Sequence, residues 1–277
     1  VEAVGTPVAL ASGYRVPNPS GMRVTIYHAL PTTTTLCAKF DGKVVGTVSI
    51  VREGVFGFPM QSSFDLDAVR VQGGHIAEIS ALAIHPDFRK TGGTILFPLM
   101  KFINEYCTRH FDTRHLVIAV NPDRIELYEA LLLFQRLHAA PIERYDFANG
   151  APAVGATLDL ERSYEQMLDV YGHREERKNL HHYFFECEVA NIQHPPQPYF
   201  TTNHPVLTPS LMDHFFNRRT RVFDSLDERQ RCLLRSIYDL DAYAPVLPAV
   251  SAQAAERLAS QHEDRFSLRC PAQVLLD

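Results

Sequence analysis

The chain has 277 residues, of which 45% are hydrophobic and 21% are charged, and its formal net charge is -5 at pH 7. These proportions are typical of a globular protein that can bury a sizeable core. The acidic balance argues against general affinity for nucleic acid, and no apolar run is long enough for a membrane span.

The five cysteines are scattered along the chain and include no CxxC pair. This pattern is typical of reduced thiols, and it lacks the spacing of the usual zinc sites. The first residues show no charged-then-apolar signal pattern. We therefore expect a cytoplasmic protein without a bound metal.

The first predicted elements are a short strand, Arg23–Ala29, and a β-hairpin. Thr33–Phe40 and Lys43–Val51 are β-rich runs that meet at Asp41-Gly42, a strong hairpin signal. Strands in this position are expected to pair with each other before the chain reaches its central segment.

A long irregular segment, residues 52–74, follows the hairpin. A loop of this length inside a compact domain is usually functional or disordered. Its aromatic residues indicate that it packs on another part of the protein. Two roles stay open at this stage, a lid over the core and a wall of a substrate site.

The centre of the chain, residues 75–137, has the order strand, glycine turn, helix and strand. Ile76–Ile84 is an apolar run suited to a buried strand, and Leu116–Val120 is a second one. Between them a turn leads into apolar residues at helical spacing. The amides of this turn, Thr91–Thr94, and the positive end of the helix would form a ready site for an anion.

This order resembles the acyl-CoA-binding core of the GNAT N-acyltransferases. The pyrophosphate loop of that family reads Gln or Arg, two residues, Gly, one residue, then Gly or Ala. The run Arg89–Thr94, with the sequence RKTGGT, matches the first and fourth positions and places Thr94 at the sixth. A second match is Asn121 followed by a helix that carries Tyr128 and ends at Phe134. Leu133 stands where the family usually has Gly.

The resemblance implies a fold and a donor site. The expected fold is α/β (α+β), a GNAT-type mixed twisted sheet flanked by helices. The donor would be an acyl-phosphopantetheine thioester on acyl carrier protein or CoA, with its carbonyl near Ala81–Ile84 and Leu116–Val120. The implied donor-binding residues are Leu82, Ile84, Arg89, Lys90, Thr91, Gly92, Gly93, Thr94 and Asn121.

Two side chains are predicted to be catalytic. Glu78 lies in an apolar strand, where burial raises the pKa of a carboxylate toward the range of a general base. Glu78 and Ser80 match the Glu-x-Ser of acyl-homoserine lactone synthases, but Ala81 replaces the Arg of that pattern, which counts against a lactone product. Tyr128 stands where many GNAT enzymes have a hydroxyl that donates to the leaving thiolate. A solvent-facing strand carboxylate and a packing tyrosine are the alternatives.

The predicted domains are a loose lead-in at residues 1–22, a GNAT-like domain at 23–160 and a helical extension at 161–277. A proline-rich linker is expected at 194–209.

Within the extension, Glu161–Tyr171, Arg174–Val189 and Ser251–His262 are predicted as helices, and Ser225 with Glu228 is predicted to form a capping box.

The closest resemblance is to N-acyl amino acid synthases, which like acyl-homoserine lactone synthases take long acyl chains from acyl carrier protein. It implies N-acylation of an amino acid or similar small amine. An acetyl-CoA-dependent N-acetyltransferase, a homoserine lactone synthase and a degenerate domain that only binds stay open as alternatives. Five basic residues are predicted to form a patch for the acidic carrier protein: Arg89, Lys90, Lys101, Arg109 and Arg114.

Overall fold

The computed structural model describes residues 20–195, 206–238 and 240–254. The described residues form two compact units, one of residues 20–23 and 31–195, the other of residues 24–30, 206–238 and 240–254. The domain boundaries placed at residues 22 and 160 stay predictions. Among the helices that the structure describes, none has the length and apolar content of a membrane span.

The first unit is built on a mixed sheet of seven strands within the described residues. The strands are β1 (Thr33–Phe40), β2 (Lys43–Arg52), β3 (His75–Ile84), β4 (Thr113–Val120), β5 (Gln135–Arg136), β6 (Ile142–Tyr145) and β7 (Ala151–Asp159). Their order is β1-β2-β3-β4-β7-β5, and β6 pairs with β7. Strands β3 and β4 run parallel, whereas the other paired strands are antiparallel.

The helices α2 (Leu96–Arg109), α3 (Ile125–Leu132) and α4 (Leu160–Tyr171) cover one face of this sheet. The short helix α1 (Asp67–Arg70) lies on the opposite face, where its Val69 is buried. Side chains alternate between the faces of a strand. Leu116 and Ile118 of β4 accordingly share a core cluster with α2, α3 and α4, whereas Val117 belongs to a second cluster on the opposite face. We call these the helix side and the lid side. The arrangement confirms the predicted class, a GNAT-type mixed sheet flanked by helices.

The hairpin prediction is confirmed, since β1 and β2 pair across Asp41 and Gly42. Both turn residues have positive φ angles, 48° and 71°, as the tight hairpin requires. The predicted strand Arg23–Ala29 is wrong. Ile26–Ala29 is a 3-10 turn, because the Nδ1 atom of His28 accepts a hydrogen bond from the Thr25 amide at 3.0 Å and closes the chain on itself.

Residues 52–74 form a lid on the sheet. Phe58, Met60, Phe64 and Leu66 are at most 3% exposed, and with Val69 they make up five of the nine buried residues of the lid-side cluster. The aromatic and apolar side chains of this segment therefore pack as a second core layer over β3 and β4.

The parallel pairing of β3 and β4 stops early. The last paired residues are Ile79 and Ile118, although β3 continues to Ile84. Just past this point Ala81 adopts a φ of 54°, and the register between β2 and β3 also shifts there. A non-glycine residue at positive φ is uncommon, and here it marks a bulge that bends β3 away from β4. The two strands thus separate and leave a gap, which we call the strand gap.

The predicted helix Arg174–Val189 is wrong. Glu176–Lys178 is a 3-10 turn and His182–Glu186 is a turn of π-helix. We call the latter the π turn. The amide of His182 is held by the Asn179 side chain at 2.9 Å, and the carbonyl of His182 accepts from the Cys187 amide at 2.8 Å. These bonds replace the regular helical ladder.

The second unit contains short helices. These are α5 (Pro209–Met212), a π-helical turn (Asp213–Arg219), a 3-10 turn (Val222–Ser225) and α6 (Glu228–Ile237). The predicted capping box at Ser225 is wrong, because the helix starts later and its box joins Asp227 to Gln230. Most of the predicted linker and of the last predicted helix lies outside the described residues.

Candidate active site

A cavity of about 300 Å³ lies at the strand gap. Ser80 and Leu82 of β3 line it from one strand, and Ala119 and Val120 of β4 line it from the other. Its volume is at the lower end for a small-molecule pocket. Members of the helix-side and lid-side clusters both contribute to its wall, so the cavity passes through the sheet.

The backbone of β3 presents amides to this gap. The amide of His85 donates to the Val45 carbonyl on β2 at 2.8 Å. Amide directions alternate along a strand, so the amides of Leu82 and Ile84 point to the other edge, where β4 has separated. The carbonyl of Ile84 on that edge accepts a hydrogen bond from Arg89 at 3.0 Å. The gap therefore offers donors for a carbonyl oxygen at the two predicted strand positions.

The glycine loop leads directly into α2. Gly92 and Gly93 have φ angles of 65° and 86°, a region that favours glycine. The hydroxyls of Thr91 and Thr94 are used inside the loop, on the carbonyls of Phe88 and Thr91. No side chain caps the start of α2. The turn therefore leaves room for an anion at the helix N-terminus.

Glu78 is buried on the lid side and is 1% exposed. Its Oε2 atom accepts a hydrogen bond from the Met60 amide at 2.8 Å. Burial raises the pKa of Glu78 from 4.5 to about 8, against the opposing effects of the Met60 amide, the Ser80 hydroxyl and the charge of Arg23. Glu78 does not itself line the cavity, whereas Ser80 and Arg23 do.

Sequence reasoning missed Arg23, which it placed in a strand with no chemical role. The guanidinium carbon lies 4.8 Å from the centre of the Phe147 ring. Burial lowers the pKa of Arg23, while Tyr145 and Glu78 act to raise it. Arg23 lines the cavity and forms no side-chain hydrogen bond or ion pair with another described residue. No spacing in the sequence links Arg23 to Glu78, and only the fold brings them together.

Tyr128 and Asn121 both line the cavity, on the side of α3. Burial raises the pKa of Tyr128, while the charge of Arg124 acts to lower it, so the hydroxyl keeps its proton at neutral pH. Its ring packs edge-on against Phe134 at 6.0 Å. The hydroxyl of Tyr128 has no hydrogen-bond partner among the described residues.

Leu133 explains how the chain does without the usual glycine. It takes a left-handed conformation with a φ of 60°, and the Phe134 amide donates to the Tyr128 carbonyl at 3.2 Å. This is the bond that closes a helix of the Schellman type, where glycine is common. A left-handed leucine costs about 1–2 kcal/mol, and Leu133 packs against the helix-side cluster in return.

Of the predicted donor residues, Leu82 and Asn121 line the cavity, while Ile84 and the loop Arg89–Thr94 lie outside its wall. The structure shows that two of the five residues of the predicted basic patch are not available to a partner protein. Lys101 is 2% exposed and pairs with Glu105, so it cannot meet a partner, and Arg114 is taken up by Asp159 and Glu161.

Within the described residues no group of three or more His, Cys, Asp or Glu could hold a metal ion. The cysteines at positions 37, 107, 187 and 232 are free thiols.

A family model described as the N-acyl amino acid synthase FeeM matches residues 10–159. Among solved structures, FeeM from uncultured soil microbes is 24% identical over 59% of this chain and 85% of its own, with a TM-score of 0.49. The CoA-dependent acyl-homoserine lactone synthase BjaI is 19% identical over 62% of this chain and 82% of its own, with a TM-score of 0.43. The acyl-homoserine lactone synthase LasI is 18% identical over 57% of this chain and 81% of its own, with a TM-score of 0.42. A search of curated proteins by sequence finds no match.

Proposed function

The chain belongs to the FeeM N-acyl amino acid synthase family and is therefore an N-acyltransferase, and from this premise we propose that it moves a long-chain acyl group from acyl carrier protein to the amine of an amino acid. The observation that carries the proposal is the cavity through the strand gap, which has polar groups at one end and an apolar wall at the other.

In the proposed mechanism the donor is bound by the glycine loop and the strand gap. The amides of the loop Arg89–Thr94 hold the phosphate of the phosphopantetheine arm, and Asn121 contacts the arm where it enters the cavity. The amides of Leu82 and Ile84 polarise the thioester carbonyl and stabilise the oxyanion that forms when the amine attacks.

Glu78 is proposed to accept the proton of the incoming ammonium. The carboxylate lies behind Ser80 and not on the cavity wall, so the proton passes through the Ser80 hydroxyl or one water molecule. A pKa of about 8 suits this role, because a base is most effective when its pKa lies near the working pH.

Tyr128 is proposed to protonate the leaving thiolate. Its raised pKa supports the role, because the phenol stays protonated until the thiolate needs the proton. Its position on the cavity wall beside Asn121 supports the contact with the sulfur end of the donor arm.

Arg23 supports an acceptor that carries a carboxylate. A guanidinium binds a carboxylate through two parallel hydrogen bonds, and the partly buried Arg23 has no other ionic partner among the described residues. Arg23 and Glu78 lie on the same side of the sheet, so a single α-amino acid could place its carboxylate on Arg23 and its amine near Ser80. Simple amines and polyamines lack the group that this arrangement would bind.

Exposed charge beside the glycine loop supports a carrier protein as the donor. Arg89 and Lys90 are exposed, and Phe40, 61% exposed, contacts Phe88 with ring centres 5.4 Å apart. An apolar centre with basic neighbours fits the acidic surface of acyl carrier protein. The free thiols are consistent with the reducing compartment in which such carriers work, and the cytoplasm remains our prediction.

The test begins with mass spectrometry of lipids from cells that express the protein, searching for N-acyl amino acids. Purified protein is then supplied with dodecanoyl carrier protein or dodecanoyl-CoA and a mixture of amino acids. We expect the carrier-bound donor to have the higher kcat/KM, and we expect this advantage to shrink as salt is added. Failure to form any amide product from either donor would refute the proposal, and a preference for acetyl-CoA would replace long-chain transfer by acetylation.

A further inference from the structure

The apolar end of the cavity is closed by residues that follow the family match. The match ends at residue 159, and the cavity continues along α4 and the π turn. The residues that close this end, which we call the floor, are Leu160, Ser163, Met167, Phe184 and Phe185. The chain thus supplies this end of the pocket from outside the matched range.

The floor lies on the helix side of the sheet. Met167 and Phe184 belong to the same core cluster as Leu116 and Ile118, which flank the strand gap on that side. The proposed acceptor groups lie on the lid side. A thioester held at the gap with its amine partner on the lid side can extend its acyl chain only toward the helix side, where it meets the floor.

A buried lysine fixes the floor in place. Lys101 on α2 donates a hydrogen bond from its ammonium to the Phe184 carbonyl at 2.9 Å. The same ammonium pairs with Glu105 at 3.1 Å, and the other oxygen of Glu105 contacts His194 at 2.8 Å. A buried charge persists only when it is paired and hydrogen-bonded. Lys101 therefore ties the π turn to α2, and the floor is part of the packed core.

We infer that the floor sets the longest acyl chain that the enzyme accepts, and that Ser163 and Phe185 act as specificity-determining residues. This inference rests on the proposed function. Each methylene that is buried against apolar wall strengthens binding about fourfold, so preference should rise with chain length until the terminal methyl reaches the floor. Beyond that length the chain must bend or displace packed side chains, and the rate should fall steeply.

Two variants should move this limit in opposite directions. Phe185→Ala removes a half-buried ring from the floor and should shift the optimum toward longer chains, with about fifteenfold better use of a donor two carbons longer. Ser163→Leu fills buried space at the cavity wall and should shift the optimum toward shorter chains. The measurement is kcat/KM for butanoyl, octanoyl, dodecanoyl and hexadecanoyl donors. Val170→Ala is the control, since Val170 is also a partly buried side chain on α4 but does not line the cavity.

A second readout does not depend on turnover. Octanoate, dodecanoate and hexadecanoate are added to each protein, and the increase in melting temperature is compared between chain lengths. Opposite shifts in the two variants, with the control unchanged, support the inference. An unchanged chain-length profile in both variants overturns it.

If the wild type transfers no acyl group of any length, the proposed function fails, and the melting-temperature profile alone decides the role of the floor. If Phe185→Ala does not fold, Ser163→Leu decides in the same way.

Discussion

Replacing Glu78 by Gln tests the chemistry of the site and the electrostatics of the fold together. Gln is nearly isosteric and can still accept the Met60 hydrogen bond, but it cannot take up a charge. In the wild type, the pKa of Glu78 rises from 4.5 to about 8 on folding. At about 1.4 kcal/mol per unit of pKa, this rise corresponds to a loss of about 5 kcal/mol in the free energy of unfolding as the pH increases from 4.5 to 8.

The direction of the change in stability with pH depends on whether the folded or the unfolded chain holds the proton. Below pH 4.5 the carboxyl is protonated in both the folded and the unfolded chain, so the wild type and Glu78→Gln should be similarly stable. Between pH 4.5 and 8 the unfolded chain loses this proton while the folded chain keeps it. Over this window the free energy of unfolding of the wild type should fall, relative to the variant, by about 1.4 kcal/mol per pH unit. Above pH 8 the difference should stay constant.

The assay is chemical denaturation of both proteins at several values between pH 4.5 and 9, since subtraction removes the titration of all other groups. Infrared spectra should show a protonated carboxyl band in the wild type that titrates near pH 8 and is missing from the variant. Glu165→Gln, an exposed change on α4, is the control and should give parallel curves. Parallel curves for Glu78→Gln as well would refute the raised pKa and the role built on it.

The rate should follow the same ionisation. If Glu78 accepts the proton, kcat/KM of the wild type should rise with pH through about 8, as the carboxylate forms. Glu78→Gln should lower the rate at neutral pH by about a hundred- to ten-thousandfold. Part of the loss should return at high pH, where more of the amine is neutral. A full rate in the variant at neutral pH would exclude the role.

Three further predictions concern other parts of the site. Gly92→Asp should abolish binding of the acyl donor, as measured by calorimetry. The control Gly92→Asn introduces a side chain of the same size without the negative charge, and it should bind the donor far more tightly than Gly92→Asp does. Equal donor affinities of the two variants would exclude a phosphate site at the loop. Tyr128→Phe should leave the melting temperature nearly unchanged and lower kcat about ten- to a thousandfold through loss of the acid, and an unaffected kcat would reduce Tyr128 to packing. Arg23→Met should raise KM for amino acids at least tenfold, but it should not change KM for the matching amines that lack the carboxylate. An equal increase in KM for both kinds of substrate would show that Arg23 does not bind the carboxylate.

The sequence was most informative where a local pattern determines the structure. The Asp41-Gly42 turn predicted the hairpin because only residues that tolerate positive φ fit it. The burial of Glu78 followed from its place in an apolar strand. The order of strand, glycine turn and helix likewise depends on neighbours in the chain, and together with the motif from Asn121 to Phe134 it identified the fold.

The remaining features depend on partners far away in the sequence. Lys101 looked like a surface residue of α2, but its ammonium is held by the carbonyl of Phe184, which a helical pattern cannot reveal. Arg23 was likewise overlooked because only the fold brings Phe147 and Glu78 close to it. The π turn escaped prediction because its apolar spacing over a few residues is close to that of an α-helix.

The passage of the cavity through the sheet has a consequence for the order of events during turnover. In the proposed mechanism the glycine loop and α2 bind the donor on the helix side, while Arg23 and Ser80 bind the acceptor on the lid side. Neither substrate has to leave before the other can enter, and neither Glu78 nor Tyr128 needs to carry the acyl group in between. The acyl group can therefore pass directly between two molecules bound at the same time, in a sequential reaction without a covalent acyl-enzyme.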